Sequence, residues 1–160
     1  MSTTAIPATI RYLITTFRAA ATLGAAASPV RVFAGPEVTE EWAQLVLWVG
    51  MNDPDSGTAP TAATGTQDWA GMPARTRKEA FSIFCTAEAW SGDTDVLAAM
   101  DAAYGIVAAV EDLVRVDKYL GGNANVNPGV TNASLKWNNT EKGAVAKVQF
   151  EIGCESRIGA

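Results

Sequence analysis

The sequence predicts one domain spanning residues 1–160, of the α+β class, with two helices packed on one face of a mainly antiparallel sheet. Two segments repeat their apolar residues with the period of an α-helix, and several others alternate with the period of a β-strand. The predicted elements follow in the order helix, two or three strands, loop, strand, helix and hairpin. The last strand has one apolar and one polar side, which is typical of an antiparallel sheet.

The first predicted helix covers residues 6–24. Its apolar side chains recur on one face, while Arg11 and Arg18 lie on the opposite face. Pro7 suits the first helical turn, and Gly24 suits the end. Because the two arginines interrupt the apolar run, the segment lacks the unbroken stretch of about 7–15 apolar residues that a secretory signal needs. No window reaches the ~20 apolar residues of a membrane span, so we predict no membrane association.

Two short strands are predicted next. Residues 30–33 form the first, and residues 43–50, which are apolar on nearly both faces, form the second. Such a strand belongs in the middle of a sheet or at a subunit contact. We therefore predict Trp48 as a candidate assembly contact.

The following segment, residues 51–77, has no sustained period and is rich in Gly, Pro, Ala, Thr and Asp. We predict a flexible loop here. Structureless segments of this length are uncommon in compact domains, so the loop is either functional or disordered until it binds a partner. Trp69 and Met72 are large apolar residues, which a purely disordered segment would not be expected to contain. We therefore predict both as candidate assembly contacts.

The predicted centre of the domain is a strand that leads into a long helix. Residues 81–87 alternate as a strand, and residues 90–93 form a turn. We expect Asp93 or Thr94 to cap the helix, and Gly121-Gly122 to follow its end. One apolar stripe, with spacings of 4, 3, 4, 3 and 4, marks its buried face: Val96, Met100, Ala103, Val107, Val110 and Val114.

Two strands close the chain. Residues 130–137 alternate weakly, residues 138–143 read as the connecting turn, and the alternation from Ala144 onward is clean. Cys154 lies on the apolar side of this last strand, and Cys85 lies on the apolar side of the preceding central strand. We predict two buried thiols in preference to a disulfide.

No combination of side chains in the sequence predicts catalysis. The chain contains no histidine, which removes histidine-based triads and the commonest general base. Residues 53–57 resemble the start of a calcium loop, but the closing glutamate of that motif would fall on Thr64. The net charge of −5, without a Lys/Arg run, argues against a nucleic-acid groove. We therefore predict no catalytic residues, no metal site and no cofactor.

Several short motifs follow one another along the chain. Each is unspecific alone, and the information lies in their order and spacing. The motifs are Val32-Phe33-Ala34-Gly35-Pro36, Val49-Gly50, Asn52-Asp53-Pro54, Lys78-Glu79-Ala80-Phe81-Ser82-Ile83, Trp90-Ser91-Gly92-Asp93, Ala102-Ala103-Tyr104-Gly105-Ile106-Val107-Ala108-Ala109-Val110-Glu111, Leu120-Gly121-Gly122 and Gly143-Ala144-Val145-Ala146-Lys147-Val148. In this order and spacing, over nearly its whole length, the chain resembles the tail terminator proteins of long, non-contractile-tailed bacteriophages and their prophages.

The resemblance implies a structural protein of the virion and no enzyme. Such terminators form a ring, usually of six copies, that caps the tail tube, stops its polymerisation and offers its other face to the head–tail connector. The expected partners are further copies of the chain, the tail tube protein and the connector or neck proteins. The implied location is the head-proximal end of the tail, after assembly in the host cytoplasm. DNA would pass through the ring without specific binding.

Two other classes of protein remain open. A head-closure protein of the neck also assembles as a ring, but it would lie next to the capsid and not the tail tube. A small enzyme that works with Asp and Glu alone would lose its turnover on Asp93→Asn or Glu79→Gln.

Overall fold

The computed structural model describes residues 3–37, 41, 43–53, 59–71 and 75–159. In this part of the chain two helices and six strands form the domain, and the predicted α+β class is confirmed. The helices are α1 (Ile6–Ala19) and α2 (Val96–Val116). The strands are β1 (Val30–Ala34), β2 (Leu45–Val49), β3 (Ala63–Trp69), β4 (Arg77–Ser91), β5 (Val126–Thr140) and β6 (Gly143–Ile158).

The sheet is built around β4 and β6, which pair over the whole length of β4, from Arg77 opposite Ile158 to Ser91 opposite Ala144. The strand order is β1-β2-β4-β6-β5, and β3 pairs with the part of β4 that β2 does not reach. The strands β1 and β2 are parallel, and the other described pairs are antiparallel. The prediction of a mainly antiparallel sheet is therefore confirmed.

Both helices pack on the same face of this sheet. Alternate residues of β4 and β6, such as Ile83 and Ile152, share one hydrophobic cluster with Leu13 and Phe17 of α1 and Val110 of α2. The predicted stripe of α2 is present, with its first two positions partly buried and the other four buried. The remaining face of the sheet carries no described helix, and we call it the helix-free face.

The two cysteines are both buried and free, as predicted. Burial raises the pKa of the Cys85 thiol to about 12, and burial likewise raises the pKa of Cys154 to about 12. Since the thiolate is the reactive form, neither side chain is poised for chemistry at neutral pH.

Several predicted boundaries differ from the observed ones. The first helix ends at Ala19, and residues 20–24 turn back toward β1. The cap of α2 is Asp95, whose carboxylate accepts hydrogen bonds from the backbone N–H groups of Leu97 and Ala98, each at 3.1 Å. The turn of the last hairpin is shorter than predicted, because β5 continues to Thr140 and β6 begins at Gly143.

The prediction of a flexible loop over residues 51–77 is wrong for its central part. Residues 63–69 form β3, which pairs with β4 from Ala63 opposite Ile83 to Trp69 opposite Arg77. Most of its residues are exposed, so the strand is held by backbone hydrogen bonds and buries little apolar surface. A strand of this kind has no apolar alternation in its sequence. Met72 lies outside the described residues.

A hydrogen-bond network ties α1 to the turn that follows α2. The Tyr12 hydroxyl donates to the carboxylate of Asp117, and the backbone N–H groups of Tyr119 and Gly121 donate to it at 3.1 and 2.8 Å. The hydrogen bond from Tyr12 is the largest cause that lowers the pKa of Asp117, and the same bond raises the pKa of Tyr12.

We predict a pH-dependent contribution of Asp117 to stability. The pKa of Asp117 is lowered in the folded state. Its contribution to the stability of the fold is therefore fully present when the pH is above the ordinary aspartate pKa of about 3.9, and it is lost as the pH falls through the folded-state pKa. Tyr12→Phe removes the strongest donor, so the pKa of Asp117 should rise toward its ordinary value in an NMR titration of the carboxyl carbons. Tyr104→Phe, which changes an exposed residue of α2, is the control. If the pKa of Asp117 were the same in the Tyr12→Phe variant as in the wild type, this account would be contradicted.

Candidate functional site

Large apolar side chains are exposed at several places on the described surface. Such side chains mark partner surfaces when they occur together. Three of the four tryptophans that the structure describes are exposed. The exposed large apolar residues are Trp69, Trp90, Leu97, Tyr104, Val116, Tyr119 and Trp137. The three exposed tryptophans lie toward the two ends of the β4–β6 pair, which we describe in turn.

One end of the β4–β6 pair is the basic end, which consists of Trp69, Arg75, Arg77, Lys78 and Arg157. The alternation of the strands places Trp69 and Arg77 on the side of the sheet that carries the helices, and Lys78 and Arg157 on the helix-free face. Trp69 is 70% exposed and lies opposite Arg77 at the end of the β3–β4 hairpin. Arg157 joins from β6, because the register places it directly opposite Lys78. Like charges in directly opposite positions are unfavourable in an antiparallel pair, and Asp68, which lies directly opposite Lys78 on β3, offsets this repulsion.

The cationic groups of the basic end have no partner within the described part of the chain. The side chains of Arg75, Arg77, Lys78 and Arg157 make neither a hydrogen bond nor an ion pair with a described residue. A groove of about 410 Å³ runs beside Lys78 and Arg157, and it is also lined by three acidic residues, Asp68, Glu79 and Glu155. The basic end therefore carries cationic groups on both faces of the sheet, with acidic residues beside Lys78 and Arg157 and an exposed indole on the helix side.

The opposite end of the same strands is the indole end, which consists of Trp90, Leu97 and Trp137. Trp90 is 36% exposed and Trp137 is 52% exposed. They lie on opposite faces of the sheet, since Trp137 is opposite the buried Ala146 and Trp90 is opposite the half-buried Val145.

Polar contacts hold the Trp90 side chain and the last hairpin at the indole end. The Trp90 indole N–H donates to Glu88, and the other oxygen of that carboxylate lies 4.0 Å from Lys147 Nζ. Burial lowers the pKa of Lys147, and the charge of Asp53 acts in the opposite direction. Asn139 Nδ2 donates to the Thr94 carbonyl at 3.1 Å, which ties the last hairpin to the start of α2. The Trp90 indole is therefore held in place within the single chain.

Trp48, a predicted assembly contact, belongs to neither end. It is partly buried on the helix-free face, with its ring centroid 4.9 Å from that of Phe33. Its indole Nε1 is buried and has no hydrogen-bond partner among the described residues. Near it, the segment after β2 folds over the sheet, and Thr86 Oγ1 donates to the buried Met51 carbonyl at 3.0 Å. Of the three predicted contacts, Trp69 is the one that the structure places at an exposed position.

Glu79 and Asp93, the two carboxylates considered for an enzyme, lie far apart. Glu79 is near the basic end and is 2% exposed. Its carboxylate accepts hydrogen bonds from the Thr4 hydroxyl, from the backbone N–H of Ala5 at 2.7 Å and from Gln67 Nε2 at 2.9 Å. These bonds fix the start of α1 on the β3–β4 hairpin. Asp93 lies beyond the other end of β4, in the exposed turn before α2.

The described residues include no group of three or more His, Cys, Asp or Glu side chains that could hold a metal ion. Within the same ranges, neither helix has the length and apolar character needed to cross a membrane. The chain matches no model of a known protein family, and no curated protein matches it significantly.

Proposed function

We propose that the chain is a tail terminator of a long, non-contractile-tailed phage. In this proposal several copies form a ring on the end of the tail tube, stop its polymerisation and provide the surface that joins the head. The proposal rests on the order of motifs in the sequence. The structural observation that supports it best is the presence of exposed tryptophans at both ends of one long strand pair.

The distance between these surfaces suits a joining protein. Trp90 lies thirteen positions further along β4 than Arg77, which is opposite Trp69. At a rise of about 3.3 Å for each residue, the two ends are about 43 Å apart. A ring that holds a tail tube on one side and a neck protein on the other needs two contact surfaces separated along its axis.

The edges of the sheet suit a ring of identical copies. One edge is β5, and the other consists of β1 and β3. Because β1 and β3 run opposite to β5, copies related by a rotation would bring antiparallel edges together. Contacts between two different surfaces of one chain close into a ring when the rotation closes. The ring size is set by that rotation.

Electron microscopy of the purified chain mixed with tail tube protein tests the proposal. We expect added density at one end of each tube and no further growth of the capped tubes, with tubes grown without the chain as the control. Tubes that elongate equally with and without the chain would contradict the proposal. Binding to a neck protein without binding to the tube would favour the head-closure alternative.

A further inference from the structure

Each edge of the sheet has one segment whose outward backbone groups are free to pair with a further strand. We infer that β3 of one copy pairs with residues 134–140 of β5 in the next copy, so that the sheets of neighbouring copies become continuous. The inference rests on the proposed function in one respect, the ring of identical copies. It adds which strands meet and in which register.

The outer edge of β1 is closed by side chains of the same chain. The Val32 carbonyl accepts a hydrogen bond from Arg18 Nε at 3.2 Å, and the N–H of Ala34 donates to Glu37 Oε2 at 3.0 Å. Arg18 and Glu37 also form an ion pair at 3.0 Å. Because these backbone groups are already bonded, β1 is unsuited to pairing with another chain.

The outer edge of β3 has no such protection. Before the strand, the Ala62 carbonyl accepts a hydrogen bond from the N–H of Phe84 at 3.0 Å. After it, the N–H of Ala70 donates to the Thr76 carbonyl, also at 3.0 Å. Even-numbered residues of β3 therefore direct their backbone groups toward β4, and odd-numbered residues direct theirs outward. The outward groups have no hydrogen-bond partner within the described ranges, and they belong to Ala63, Gly65, Gln67 and Trp69.

The open part of β5 is its second half, residues 134–140. The first half contains Pro128, and the register with β6 shifts between Thr131 and Ser134, and both features discourage pairing at an edge. The odd-numbered residues of β4 face β6, and the same alternation directs the even-numbered residues of the second half of β5 toward β6. The residues that face outward, without a backbone hydrogen-bond partner on that side in the described part of the chain, are Leu135, Trp137 and Asn139.

One charge on each segment selects the register. Asp68 is the only charged residue in the sequence of β3, and Lys136 is the only one among residues 134–140. Both side chains lie on the helix-free face, where Asp68 is also opposite Lys78 of its own chain. With Asp68 of one copy opposite Lys136 of the next, the carboxylate lies between two lysines. The same register sets the outward residues of the two antiparallel segments opposite each other, as strand pairing requires.

This register also brings two exposed indoles together. Trp69 is 70% exposed and Trp137 is 52% exposed, and both lie on the side of the sheet that carries the helices. Trp69 then lies opposite Leu135, with Trp137 as its diagonal neighbour. Diagonal neighbours are about 7–8 Å apart, within reach of aromatic side chains. The pairing therefore gives both indoles an apolar partner.

Disulfide cross-linking between copies tests the register. Thr66→Cys/Asn138→Cys changes two exposed residues that the register places directly opposite each other in neighbouring copies, close enough for a disulfide. The native cysteines are buried. The full chain is oxidised with and without tail tube protein and separated on a non-reducing gel. We expect a ladder of linked chains. The control is Thr66→Cys/Thr131→Cys, which uses an exposed residue in the first half of β5 and should leave single chains.

Single variants test pairing between identical strands. Thr66→Cys alone links two copies if β3 pairs with β3 of a second copy, and Asn138→Cys alone links them if β5 pairs with β5. A linked dimer from either single variant would overturn the inference. If Thr66→Cys/Asn138→Cys lowers the melting temperature, the next pair in the register, Thr64→Cys/Thr140→Cys, decides.

The outcomes separate this inference from the proposed function. If the wild type caps tail tubes but the folded double variants stay unlinked with and without tubes, the inference is overturned while the proposed function stands. If the ladder forms but tubes elongate equally with and without the wild-type chain, the pairing of copies stands and the proposed function is overturned. Unlinked chains together with uncapped tubes would overturn both.

Discussion

Val110→Asp is expected to destabilise the domain more than any other single change considered for this chain. Val110 is 0% exposed and lies in the cluster between α2 and the sheet. An aspartate there places a carboxylate among apolar side chains without a hydrogen-bond partner. We expect a loss of about 4 kcal/mol in the free energy of unfolding, a large part of the stability of a small domain. The melting temperature should fall by about 8–16 °C.

Circular dichroism during heating measures this effect. The matched control is Asp112→Asn on the exposed side of the same helix, which should change the free energy of unfolding by less than about 0.5 kcal/mol. Equal melting temperatures for the two variants would mean that α2 does not pack on the sheet through this face.

Glu79→Ala is expected to cause the second largest loss of stability. The carboxylate is buried and accepts hydrogen bonds from Thr4, Ala5 and Gln67 at the N-terminus of α1. The variant removes the acceptor of these three hydrogen bonds, although Gln67 Nε2 keeps its bond to the Thr3 carbonyl at 2.8 Å. It also removes a negative charge from the positive end of the helix dipole. We expect a loss of about 3 kcal/mol. Glu79→Gln keeps the shape of the side chain but not the charge, and it should lose about half as much.

Urea unfolding of both variants tests this role. Glu155→Ala is the control, because this glutamate is exposed on the neighbouring strand β6 and the structure gives its side chain no hydrogen bond. It should change the free energy of unfolding by less than about 0.5 kcal/mol. Similar values for Glu79→Ala and Glu155→Ala would show that the hydrogen bonds to Glu79 contribute nothing net to stability.

The elements that could be predicted from the sequence are those that bury one face. The helix α2 and the strand β6 separate apolar from polar residues with periods of 3.6 and 2, so their type and buried side are visible in the sequence. The strand β3 could not be found in this way. Its Thr64, Thr66 and Gln67 are exposed, and pairing with β4 depends on backbone groups that every residue type except proline supplies fully.

The cap of α2 and the ends of the strands could not be predicted accurately from the sequence, for a related reason. Asp93, Thr94 and Asp95 are all suitable caps by residue type. The choice among them depends on where the chain leaves the sheet, and β4 continues to Ser91 because β6 pairs with it over that length. Tertiary pairing of this kind has no signal in the local sequence.

The candidate site could be predicted in part. Trp69 is a large apolar residue in a polar segment, which predicts a contact residue, and the structure exposes it. Trp48 was selected for the apolar character of its strand, but β2 is inside the sheet and Trp48 is partly buried. The basic end was missed because Arg157 is distant from Lys78 along the chain, and the two become neighbours only through the β4–β6 register.

The length of the tails made by a phage that lacks this chain tests the central claim most directly. If the chain ends tube polymerisation, electron micrographs of the deletion mutant should show overgrown tubes of irregular length that fail to join heads, and expression of the chain from a plasmid should restore uniform tails. Tails of normal length without heads would instead indicate a head-closure protein. Normal infectious particles would contradict any role of the chain in joining the tail to the head.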